Sequence, residues 1–133
     1  RSLAYTVAAY PVARALAGSF VSYIATSPER EEEARAGLLA ELGRLREELI
    51  EETELKRARE YTVGSWQIRS QSNAAQVSDI MHALLLGEGL REIAEYEQRV
   101  RAVTAERIRE VAQRYFDEQR LVEAVVRGTG GGR

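Results

Sequence analysis

A chain of 133 residues, 44% hydrophobic and 30% charged, has the composition of a folded domain with one modest core rather than of a disordered polymer. Its net charge of −2 leaves no basic footprint for nucleic acid or an anionic membrane, and no apolar run approaches the ~20 residues of a membrane-spanning helix. Zero cysteines exclude disulfides, thiol catalysis and cysteine-held metal.

The first ten residues read as a strand. Leu3, Tyr5, Val7 and Ala9 alternate with Ser2, Ala4, Thr6 and Ala8, and Pro11, which has no N–H to donate, is expected to stop the ladder. A strand that begins at Arg1 suggests the middle of something larger. Gly18 is expected to supply the hairpin turn, and Ser19 to Thr26 forms a second strand whose poor alternation suggests cover on both faces.

Ser27-Pro28 is a helix start, with Glu29, Glu31 and Glu32 near the positive dipole end. The acidic run Glu31-Glu32-Glu33 reads as a solvated first turn rather than a metal site. Ala34, Leu38, Leu42, Leu45 and Leu49 make one apolar stripe. A further helix opens at Glu51, with Leu55, Ala58, Thr62, Ser65 and Trp66 close to one face. Ser72 or Asn73 caps the next, which carries Val77, Ile80, Met81, Leu84 and Leu85 and ends at Gly87 or Gly89. Leu90 to Val100 is a short amphipathic helix with Ile93, Ala94 and Glu97 along it. Thr104 caps the last, striped by Ile108, Val111, Ala112, Tyr115 and Phe116. Leu121 to Val126 reads as a final strand, and Gly128 to Arg133 as a flexible glycine-rich tail.

The expected fold is α+β: an antiparallel sheet with helices packed on one face, in the order ββ-helices-β, over residues 1–127. Three strands are few for so many apolar helix faces, so part of the sheet is expected to lie outside this chain.

Four stretches together resemble the pitrilysin/insulinase zinc metallopeptidases, in the branch similar to mitochondrial processing peptidase. Arg1-Ser2-Leu3-Ala4-Tyr5-Thr6-Val7 looks like the family's "R-G-L-A-Y-S-V" strand, with Ser2 where the family usually has Gly. Ser27-Pro28-Glu29 resembles its entry into a long helix, and Glu54-Leu55-Lys56-Arg57-Ala58-Arg59 is similar to its "E-L-x-R-A-K" helix. Val103 to Phe116, "V-T-A-E-x-I-x-x-V-A-x-x-Y-F", looks like its closing helix. The match is to the last part of the family's C-terminal domain.

The resemblance implies a hydrolase, or a subunit of one, acting in proteolysis. Such enzymes hold zinc through His-x-x-Glu-His and a distal Glu in the N-terminal domain, where the motif's Glu polarises the attacking water. The only histidine here is His82, so the motif is not on this chain; zinc is expected in the complete enzyme, and no metal ligand is assigned here. The catalytic-site residue the resemblance implies is Tyr5, whose phenol would donate a hydrogen bond to the peptide carbonyl as its oxygen gains charge. The arginine paired with it in the family lies upstream of Arg1. The implied partners are a peptide substrate and a missing N-terminal domain or partner chain, in an oligomer. Two alternatives stand beside this one. In the first, the chain is a structural or assembly subunit with the same fold and Tyr5 is packing. In the second, it is an unrelated small binding domain, which predicts a stable monomer with no exposed sheet edge.

Overall fold

Between Thr6 and Ala25 the chain carries one charged residue, Arg14, and alternates small with β-branched or aromatic side chains. In the computed structural model, which describes residues 4–128, this stretch is an antiparallel hairpin of β1 (Thr6–Ala13) and β2 (Gly18–Ala25). The register runs from Thr6 opposite Ala25 to Ala13 opposite Gly18. Pro11 does not stop the ladder; it lies inside β1, opposite Phe20. A two-stranded ribbon leaves each strand one unpaired edge, and there a residue without an N–H is tolerated. Nor does Gly18 make the turn. Residues 14–17 do, closed by the Arg14 N–H on the Ala17 carbonyl at 2.9 Å, while Gly18 opens β2. Neither face of β2 is fully covered, since Phe20 and Tyr23 stay about half exposed.

Five helices follow: α1 (Glu31–Glu47), α2 (Glu52–Arg69), α3 (Asn73–Leu85), α4 (Arg91–Arg101) and α5 (Ala105–Tyr115). The Ser27-Pro28 start produces first a 3-10 turn, Pro28–Arg30, before α1. Its Glu29 carboxylate is held below its ordinary value by its own backbone N–H and by the Ser27 hydroxyl. Ser72, not Asn73, caps α3, its hydroxyl accepting from the Ala75 N–H at 3.2 Å. Thr104 caps α5 by accepting from the Arg107 N–H at 3.2 Å. Each such cap satisfies an orphan N–H, worth about 1 kcal/mol. After α3 the chain escapes through Gly89, which takes φ +92, a conformation that only glycine adopts freely.

The helices pack in pairs: α1 on α5, α2 on α4, α3 on α4, with α1 also touching β2. The fully buried apolar residues are Ala34, Leu55, Val63, Ala83 and Ala112. On α1 the expected stripe is partly realised. Ala34 is buried and Leu38, Leu42 and Leu45 half-buried, but the helix ends at Glu47 and leaves Leu49 exposed. On α2 the face differs from the expected one. Leu55, Arg59, Val63 and Trp66 turn inward, whereas Ala58, Thr62 and Ser65 are exposed. An arginine interrupts the true stripe, which hides it from a search for apolar spacing. Arg59 can sit there because its stem packs while its head reaches polar partners.

The expected third strand does not form. Residues 121–128 have no ladder, and the sheet among the described residues has two strands only. That segment instead lies beside the first turns of α1, where Arg35 Nε donates to Glu123 at 2.7 Å and Arg127 Nε to Glu31 at 2.8 Å. Side-chain ion pairs with a helix leave its backbone without a strand to pair with. The architecture is α+β, a two-stranded antiparallel sheet followed by five helices. The expected strand residues 1–3 and the tail beyond Gly128 lie outside the described residues.

Candidate functional site: Tyr5 and the uncovered faces

Tyr5 stands immediately before β1, its N–H donating to the Ala25 carbonyl at 2.8 Å. That bond fixes the backbone at the mouth of the hairpin. The ring is not packed: Tyr5 is 82% exposed, and no described side chain bonds its phenol. The geometry therefore presents a phenol O–H outward from a backbone held on its neighbour strand. A phenol so placed can donate to an oxygen approaching from outside the chain.

His82 lies exposed on α3, away from the hairpin in sequence, and among the described residues no group of three His, Cys, Asp or Glu side chains could hold a metal ion. Glu31 and Glu32 of the acidic run are engaged by arginines, Arg127 and Arg35. Hydrogen bonding from Arg127 holds the Glu31 carboxylate below its ordinary value, and Arg35 does the same for Glu123. A shallow surface depression lies on α2, lined by Glu54, Arg57, Ala58 and Tyr61. Its mixed charge and open mouth give it no converging polar groups.

Bare apolar surface lies elsewhere on the hairpin and on α3. Val7, Tyr10, Phe20 and Tyr23 on the hairpin are all at least 45% exposed. On α3, Val77, Ile80, Met81, Leu84 and Leu85 form a continuous helical stripe, and every one of them is exposed. The only ionised residue of α3 is Asp79, and Arg69 holds it through two bonds of 2.8 and 3.0 Å. In all, the chain exposes 10928 Å². A compact monomer of 14.9 kDa exposes only about 7,000 Å².

Sequence reasoning missed Arg59. Its guanidinium donates to the Val103 carbonyl through Nε at 2.9 Å and through Nη2, and to Glu52 through Nη1 at 3.0 Å. It ties α2 to the connection between α4 and α5. The available signal was its four-residue spacing from both Leu55 and Val63.

No helix among the described residues is long and apolar enough to cross a membrane. No family model matches the chain, and no curated protein matches it.

Proposed function

We propose that this chain is the substrate-side, C-terminal portion of a zinc metallopeptidase, or of its non-catalytic partner subunit, of the kind its sequence resembles. It helps to enclose a chamber in which peptides are cut. Zinc and the general base come from another domain or chain, and helices cover one face of a sheet that this chain only begins. The observation that carries the reading is the uncovered apolar surface of the hairpin and of α3, together with an exposed Tyr5 at the mouth of the hairpin. A free-standing binding domain has no use for so much uncovered apolar surface.

In this reading Tyr5 is the substrate contact. Its phenol donates to the scissile carbonyl, and the bond strengthens as the oxygen becomes an oxyanion, so the loss should fall on kcat more than on KM. The test is peptide cleavage by the complete zinc-loaded protein, wild type against Tyr5→Phe. Loss of a transition-state donor lowers kcat by roughly 10²-fold. Unchanged kcat in a correctly assembled, zinc-containing variant would remove Tyr5 from the chemistry. The same sample separates the second reading, a structural or assembly subunit, because that protein would assemble without zinc and without turnover.

A further inference from the structure

α3 is amphipathic in the reverse of the usual sense. Its inward side is small: Ala75 and Asp79 are half-buried and Ala83 is buried, at a strict four-residue spacing. At 100° per residue, Val77, Ile80, Met81, Leu84 and Leu85 centre on the opposite side of the helix, and all five are exposed. This rotation is held in place. Arg69, at the end of α2, grips both oxygens of Asp79 at 2.8 and 3.0 Å, and the Ser72 cap fixes the first turn.

The outward face has the pattern of a helix that packs on another helix. Val77, Ile80 and Leu84 follow at intervals of three and four, the spacing of a and d positions, with Met81 and Leu85 beside them. The face is also free of charge. Asp79 is turned inward and paired, and His82 stands two residues from both Ile80 and Leu84, away from their side of the helix. Neutrality is what a face needs in order to meet its own copy, because near a two-fold axis a charge would meet its like. Size agrees with this. In an antiparallel pair centred between Ile80 and Met81, the smaller Val77 meets the larger Leu84 on both sides of the axis.

We infer that the outer face of α3 takes the α3 of a second copy of this chain, antiparallel, about a two-fold axis between Ile80 and Met81. Val77 of each copy packs on Leu84 of the other, and Ile80 on Met81. The five side chains expose from 42% to 72% of their surface. That amounts to roughly 500 Å² per copy and about 1,000 Å² for the pair, the lower end of a specific interface. The pairing is therefore reversible and depends on concentration. It leaves the apolar surface of the hairpin for the rest of the sheet, and it does not depend on the peptidase reading.

Sedimentation equilibrium of the complete protein over a wide range of concentration tests the pairing. The expected result is a reversible dimer that Leu84→Lys weakens by roughly 10²-fold or more, because the new charge is buried against an apolar face without a partner. Val77→Glu should do the same. Both sites are more than half exposed within the chain, so the variants keep the fold, which circular dichroism checks. Combined in one chain, the two charges are seven residues apart and do not pair within the helix. In the antiparallel pair each Glu meets a Lys of the second copy, so the double variant should dimerise at least about tenfold more tightly than either single one. A protein that stays monomeric throughout, a dimer indifferent to Leu84→Lys, or a double variant no tighter than the single ones overturns the inference. A dimer of this kind in a protein without zinc and without turnover would end the peptidase reading and leave the pairing intact.

Discussion

α2 and α3 are successive helices with opposite fates. α3 carries the cleaner apolar stripe, Val77, Ile80, Met81, Leu84 and Leu85, and every one of these side chains is exposed. α2 has a stripe broken by Arg59, and it buries Leu55 and Val63 completely. The difference is the availability of a partner face. α2 meets α4, where Trp66 stacks on Tyr96 with ring centroids 4.8 Å apart, and Arg59 reaches on to the Val103 carbonyl. On α3 only Ala83 is buried, with Ala75 and Asp79 half-buried, and the apolar stripe faces outward. A good stripe records what a helix is built to bury; whether burial happens within one chain depends on what that chain brings to it.

This comparison can be broken by substitution. The largest effect is expected at Leu55, which is 2% exposed. Leu55→Ala should cost about 2–5 kcal/mol in denaturant unfolding, through lost transfer energy and the cavity left behind. Arg59→Ala comes next, at about 1–3 kcal/mol, because it leaves the Val103 carbonyl without its charged donors. On α3 the same class of change should be nearly silent. Leu84→Ser, at a side chain 60% exposed, is expected to move the stability of the chain by less than about 0.5 kcal/mol while reducing the binding of an apolar dye. A cost like that of Leu55→Ala would show that α3 is buried in solution.

The smallest effect concerns the terminal segment. Glu31 and Glu123 are both depressed by arginine hydrogen bonds, so their contribution to holding residues 121–127 on α1 is present at neutral pH. It is lost as pH falls through their lowered folded-state values, below the ordinary glutamate range near about 4.3. Both pairs are solvent-exposed, so the expected change is local release of the segment with the global transition unmoved. Amide shifts of residues 121–127 followed from pH 6 to 3 would register it, and added salt should have the same effect at neutral pH.

Most of the element order was legible in the sequence because its punctuation is local. Ser27-Pro28, Ser72, Thr104 and Gly89 act on their own backbone within a turn, and each marks a boundary at or beside its expected place. What depends on distant partners was not legible. The inward face of α2 is decided by α4 and by an arginine whose partner is 44 residues away. The strand character of Leu121 to Val126 is real as composition, yet a ladder needs an edge to join, and here the segment meets arginine and glutamate on α1 instead. Pro11 was misjudged for a related reason: its effect depends on whether the strand edge it faces is occupied. Tyr5 was placed by resemblance alone; the fold shows its side chain exposed and its N–H on the Ala25 carbonyl.

The most direct test of the account is native mass spectrometry, with metal analysis on the same sample, of the protein isolated from its source. The account predicts a larger assembly in which this sequence is joined to zinc-binding polypeptide, with zinc present. A zinc-free 14.9-kDa monomer that binds no apolar dye would contradict it.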